Sequence, residues 1–171
     1  MRFTDALRRS CPLYRALLSL LIVTWSAAGA GFTGIVVGVT DGDTLTVLND
    51  RIPLKIRLHG IDCPERGQPF SQQAKQLASH LAFGKQVLVR PTDVDRYGRI
   101  VAEVTLPDGR FLNHELVRSG MAWWYQRYAP GDAVLRSLEA EARRAKRGIW
   151  SAGAQVPPWL WRGGLRASPA R

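Results

Sequence analysis

Cysteine is nearly absent. Cys11 and Cys63 are the two in 171 residues, which excludes a disulfide-stapled scaffold and any cysteine-rich metal site. Histidine is almost as scarce, and His59, His80 and His114 have no metal-ligand spacing, so nothing in the pattern suggests zinc. Carboxylates are the minority charge, with 14 Asp+Glu against 24 Lys+Arg. No long apolar run follows residue 40, which excludes a multi-pass membrane protein. A hydrophobic content of 46% is too high for a disordered chain, and no segment repeats.

What remains is one ordinary domain, long enough to bury a core. A formal net charge of +10 makes a polyanion the first partner to consider, nucleic acid ahead of anionic lipid. Charge alone names no chemistry.

The N-terminus accounts for part of that charge. Arg2, Arg8, Arg9 and Arg15 precede an apolar run from Ala16 to Ser26, and Ala28-Gly29-Ala30 fits a small-x-small cleavage site. This is the plan of a secretory signal over residues 1–30, cleaved near Ala30, with export to the periplasm or medium. The competing reading is an uncleaved membrane anchor facing outside, because no charge occurs between Ala16 and Thr40. Cleavage is favoured because Thr33 to Thr40 has strand character that the domain needs. Removing residues 1–30 takes four Arg and one Asp, so 24 and 14 become 20 basic and 13 acidic residues, a net of +7. Cys63 is then the one remaining thiol.

Along residues 31–152, Ile35 to Val39 and Leu45 to Leu48 are β-branched-rich runs around Asp41-Gly42-Asp43, two strands and a tight turn. Ile52, Leu54, Ile56 and Leu58 alternate with Pro53, Lys55, Arg57 and His59, the period of a third strand with one wet face. Ser71 is expected to cap a helix to about Leu81, with Ala74, Leu77, Ala78 and Leu81 on its inner face. Val87 to Arg90 and Ile100 to Leu106 return to strand character. Asn113 is expected to cap a short helix, and Asp132 a long one whose inner stripe is Val134, Leu135, Leu138, Ala142 and Ala145. Five short strands with three helices imply an α+β, mainly β architecture, a small closed barrel on the OB-fold plan. Residues 153–171 read as a Pro/Gly/Arg-rich tail in which Trp159 to Trp161 could pack back on the core.

Asp41, Asp43, Asp62 and Glu65 lie close to strand ends in an otherwise basic protein. Four such carboxylates would repel one another unless a cation sat among them, and a hard divalent ion of irregular oxygen coordination answers that. Asp-Gly-Asp alone is equally the signature of a β-turn. Arg57 on the wet face of its strand and Arg99 at the end of a Gly-containing loop offer fixed bidentate donors suited to a phosphodiester in a five-coordinate state. Either arginine taken singly is a solvated side chain. Glu65 follows Pro64, which restrains its carboxylate beside the acidic cluster, where it could serve as a general base.

Asp41-Gly42-Asp43-Thr44, Arg57-Leu-His-Gly-Ile-Asp62-Cys-Pro-Glu65 and Asp95-Arg-Tyr-Gly-Arg99, in that order, resemble the staphylococcal nuclease (thermonuclease) family. The likeness continues through Asn113 to Trp123 and Glu139 to Trp150, covering roughly residues 33 to 150. It implies an OB-fold endonuclease that uses Ca2+ to hydrolyse single-stranded or frayed DNA and RNA, leaving 3′-phosphate ends. Carried over residue by residue, it implies that Asp43, Asp62 and the backbone carbonyl of Cys63 bind calcium, with Asp41 behind them. Arg57 and Arg99 match the phosphate-binding catalytic arginines, and Glu65 matches the carboxylate that activates or orients water. Tyr97, inside its motif, is a candidate for stacking on bases, while Tyr125 and Tyr128 align only loosely with the family's aromatic positions. Trp123, Trp124 and Trp150 are expected to pack. The segment Arg66 to Phe70 is shorter than the basic loop of the type member.

The rival from another class is a non-catalytic OB module that binds nucleic acid or protein. Relatives of that kind lose the acidic or arginine positions, and this chain keeps them. A monomer is expected, with no stable protein partner.

Overall fold

The computed structural model describes residues 31–153 and 155–164. The signal segment expected over residues 1–30 and the end of the tail lie outside the described residues. The elements of the described residues run β1 (Phe32–Asp41), β2 (Thr44–Asn49), β3 (Ile52–Leu58), β4 (Ile61–Asp62), α1 (Ser71–Ala82), β5 (Gln86–Val94), β6 (Ile100–Thr105), α2 (Leu112–Arg118), β7 (Trp123–Trp124), α3 (Ala133–Arg144), a 3-10 turn (Gly148–Ser151) and α4 (Pro158–Arg162).

Five strands close into a barrel in the order β1-β2-β3-β6-β5. The two hairpins β1–β2 and β2–β3 and the β5–β6 pair are antiparallel, whereas β3 and β6 run parallel, Ile56 opposite Ile100 and Arg57 opposite Val101. Parallel neighbours cannot share a hairpin, which is why α1 and β5 intervene between them. β1 serves two partners, pairing with β5 through Phe32–Ile35 and with β2 through Ile35–Asp41. Register shifts between Val36 and Gly38 and between Val39 and Asp41 bend it around the barrel.

Val36, Leu45, Val47, Ile56, Leu58, Val87, Val89, Ala102 and Val104 fill the interior and are at most 2% exposed. The period-2 reading therefore holds for Ile56 and Leu58, but Ile52 is exposed, because it lies at the hairpin end where the barrel no longer covers it. Helix α1 covers one end through Ala74, Ala78 and Ala82, whose small side chains let its backbone come close. α2 and α3 pack together, with Leu112, Leu116 and Val117 of the first and Leu135, Leu138 and Ala142 of the second buried.

The expected barrel is present, and the count of three helices is corrected to four plus the 3-10 turn. Two expected caps also differ. Ser71 is the first residue of α1, whose N-cap is Phe70 with no side-chain hydrogen bond. Asn113 lies inside α2: its Oδ1 accepts from Val104 N at 3.1 Å, and its Nδ2 donates to the carbonyls of His59 at 2.9 Å and Ala102 at 3.3 Å. It ties helix to barrel rather than starting a helix. Asp132 does cap α3, accepting from Leu135 N at 2.9 Å. Val134 of that helix is exposed, as is Ala145 just past its end, so the inner stripe is narrower and shorter than expected.

Candidate active site

The β1–β2 hairpin closes on Asp41 opposite Thr44, leaving Gly42 and Asp43 as its two-residue loop. Asp41 Oδ1 accepts from Asp43 N at 3.2 Å, an Asx turn that aims the Asp43 side chain inward. There Asp43 is 3% exposed. Its Oδ2 accepts the Cys63 N–H at 2.6 Å, its Oδ1 is paired with Arg57 Nη1, and its carbonyl accepts Leu58 N at 2.9 Å.

Arg57 stands opposite Thr44 in the β2–β3 ladder, beside the acidic turn. Its Nη2 donates to Asp62 Oδ1 at 2.7 Å and to the Ile61 carbonyl at 3.3 Å. Asp62 is 1% exposed. It is held by the short β4–β7 ladder, in which Asp62 faces Trp123, while Gly60 in the left-handed region at φ 72° turns the chain from β3 into β4. Leu135 closes over that glycine. Two buried carboxylates would carry a large desolvation cost alone, and the planar guanidinium between them supplies both charge and paired donors.

Cys63 is buried, and burial pushes its thiol well above the usual range; Arg57 opposes the shift, and Asp62, Asp41 and Glu65 add to it. A thiol kept protonated at neutral pH is a packing group, not a nucleophile.

Glu65 is positioned by Gln68, a buried residue that the sequence analysis did not single out. Gln68 Oε1 accepts Glu65 N at 2.9 Å, Gln68 N donates to the Glu65 carbonyl at 2.8 Å, and its Nε2 donates to the Val156 carbonyl. The Glu65 carboxylate is paired with Arg162, a residue of α4. Arg162 also holds Asp62, through Nη2 to Oδ2 at 2.8 Å and Nη1 to Oδ1 at 3.3 Å. The carboxylates thus meet two guanidinium groups, one from β3 and one from the C-terminal segment.

Arg99 is placed differently. Asp95 organises its loop, accepting Tyr97 N at 2.9 Å, Arg99 N at 3.0 Å and Arg99 Nε at 2.6 Å. Slight burial alone would raise the Asp95 carboxyl, but these Arg99 and Tyr97 hydrogen bonds outweigh it and hold the group below the usual carboxylate range. Arg99 immediately precedes β6, next to the strand that carries Arg57, yet its guanidinium engages Asp95 and not the buried carboxylates. Tyr97 is 68% exposed, with Arg96 and Arg99 lying 4.8 and 5.5 Å from its ring centre.

Tyr125 lies just beyond β7, its N–H on the Gly60 carbonyl at 2.8 Å. Trp159 of α4 stacks on it at 4.9 Å and 7°, and Tyr128 meets it edge-on at 4.8 Å. Trp123 is buried and Trp150 packs edge-on against it at 5.5 Å, under the Arg143 guanidinium. Between the Trp123–Arg127 segment and the Pro157–Arg162 segment runs a groove of about 660 Å³, also lined by Glu139 and Arg143.

The donor set suits a hard divalent cation. Asp41, Asp43, Asp62 and Glu65 offer four carboxylates against the two guanidinium groups of Arg57 and Arg162, an excess of two negative charges carried on oxygen donors alone. Among the described residues no three His, Cys, Asp or Glu side chains already converge on one point. Arg162 occupies the approach that such a point would need between Asp62 and Glu65.

A family model described as staphylococcal nuclease homologue matches residues 55–152. An uncharacterized endonuclease of Escherichia coli is 44% identical over 145 residues, covering 85% of this chain and 94% of that protein. Micrococcal nuclease of Shigella flexneri is 40% identical over 153 residues, covering 84% and 88%. An uncharacterized endonuclease of Haemophilus influenzae is 34% identical over 151 residues, covering 88% and 84%.

Proposed function

Because the chain belongs to the family of staphylococcal nuclease homologues, we propose that it is a calcium-dependent endonuclease of DNA and RNA. It prefers single strands, reads little sequence and leaves 3′-phosphate ends. The observation that carries this reading is Arg57 held between the buried carboxylates of Asp43 and Asp62, with Glu65 two residues beyond the Cys63 amide that binds Asp43.

Asp43, Asp62 and the Cys63 carbonyl would hold calcium, with Asp41 fixing the turn behind them. When bound, the ion supplies positive charge beside the scissile phosphate and makes water more acidic. Glu65, restrained by Pro64 and Gln68, takes up the proton of the attacking water or orients it. Arg57, released from Asp43 and Asp62 when those carboxylates hold the cation instead, would present its fork to the phosphate oxygens as charge builds on them, and Arg99 would swing from Asp95 to do the same. Tyr97 and Tyr128 offer ring faces to unstacked bases, and Tyr125 would do so once Trp159 leaves its face, which supports a preference for single strands without sequence readout. The N-terminal pattern supports export with cleavage near Ala30.

The test is to incubate the protein with denatured DNA or RNA in calcium or in chelator and to examine the product ends. Calcium-dependent fragments that block polymerase extension until treated with phosphatase support the reading; intact substrate in both conditions rejects it.

A further inference from the structure

The segment from Gln155 to Gly164 lies outside the family match of residues 55–152, yet it reaches Asp62, Glu65 and Gln68 of the carboxylate site. Three independent contacts dock it. The Val156 carbonyl takes the side chain of Gln68, the same residue that holds Glu65 N. Trp159 stacks flat on Tyr125. Arg162 spans Asp62 and Glu65, donating to both oxygens of the first and to Oε1 of the second.

The third contact is at odds with a freely open metal site. Asp62 already gives Oδ1 to Arg57, so the two Arg162 donors leave its carboxylate with little capacity for another cation. Glu65 is likewise engaged, its Oε1 taken by Arg162 Nη1 and so covered against an incoming water. Arg162 itself is 43% exposed and sits on a helix of five residues, so it can leave without opening the barrel.

We propose that Gln155–Gly164 is an autoinhibitory strap. Its Arg162 guanidinium acts as an internal cation, closing the site between Asp62 and Glu65 until calcium displaces it. This rests on the reading of Asp62 as a calcium ligand and Glu65 as the water-activating group. Competition follows from the chemistry: one carboxylate pair cannot fully serve a guanidinium and a divalent ion together. A site closed about nine-tenths of the time binds its ligand with an apparent Kd roughly tenfold weaker than the open site. A polyphosphate backbone drawn to Arg162 releases the strap in the same direction.

The test uses the whole protein and no substrate. Calcium binding is measured by titration calorimetry for wild type, Arg162→Ala and Trp159→Ala, the last loosening the strap without touching a carboxylate. Hydrogen exchange at Leu160, Trp161 and Gly164, whose amides are bonded within the segment, follows the strap directly. Expected are a calcium Kd about tenfold tighter in Arg162→Ala, a smaller gain in Trp159→Ala, and faster exchange of the three amides when calcium is added to wild type. Calcium binding of unchanged or lower affinity in both variants overturns the strap while leaving the site intact. Strap exchange that is insensitive to bound calcium overturns it equally. No calcium binding by any of the three proteins overturns both the strap and the site reading on which it rests.

Discussion

Arg57 joins two segments that the chain keeps apart: Nη1 is paired with Asp43 in the β1–β2 turn, and Nη2 lies 2.7 Å from Asp62 on β4. Both aspartates are buried. The bridge is therefore a folding contact as well as a site contact, and its removal leaves the buried Asp43 without its guanidinium and Asp62 with Arg162 alone.

Arg57→Ala is expected to lower stability by about 3–5 kcal/mol, the range for breaking a buried ion pair from one side. Calcium should restore part of that loss, so its addition raises the Tm of the variant by more than that of wild type. Thermal unfolding with calcium and with chelator reads both numbers. Equal calcium shifts in the two proteins would separate Arg57 from the cation site.

Gly42 is required by space. A Cβ there would lie 2.7 Å from Cys63 Sγ, 2.8 Å from Cys63 Cβ and 2.9 Å from Ala74 Cβ, so the acidic turn sits directly on the segment that carries Asp62. Gly42→Ala should cost about 1–3 kcal/mol through overpacking and weaken calcium binding by shifting Asp43. Chemical denaturation and a calcium titration check it; a fully stable variant with unchanged affinity contradicts it.

The Cys63 thiol should be unreactive in the folded protein. Its pKa is raised by burial, so the thiolate that alkylating reagents attack is scarce at pH 8 and the sulfur is out of reach. Peptide mass spectrometry after iodoacetamide treatment should find Cys63 unmodified under native conditions and modified in denaturant. Rapid native labelling would place the side chain elsewhere.

Asp95 should titrate below the ordinary aspartate range. Because the folded value is depressed, the stability this group contributes is present at neutral pH and is lost as pH falls through the folded value. NMR titration of the Asp95 carboxyl, with the Tyr97 and Arg99 amides as reporters, measures it. A midpoint at or above the ordinary value would mean that the loop hydrogen bonds do not form in solution.

Much of this was legible in the chain. The strand runs and tight turns place β1, β2 and β3 side by side, because β-branched residues in period 2 around a tight turn have few alternative arrangements. The parallel β3–β6 and the β1–β5 pairings that close the barrel come instead from contacts distant in the chain. Asp43, Arg57 and Asp62 could be grouped because turn and strand place them near one another locally. Asn113 was misread because the same side chain caps helices and pins strands, and only packing decides which. The pairing of Arg162 with Asp62 spans 100 residues of sequence, and neither periodicity nor spacing encodes such a contact. The aromatic and proline-rich run before Arg162 signalled docking without saying where.

The central claim is that the carboxylates around Arg57 form a nuclease site with Glu65 acting on the water. Its most direct test compares calcium-dependent cleavage of denatured DNA by wild type and Glu65→Gln, with thermal stability measured in parallel. The account predicts active wild type and a variant slowed by about 100-fold or more at nearly unchanged Tm. A variant that cuts at the wild-type rate, or a wild type that binds nucleic acid without cutting it, would contradict the account.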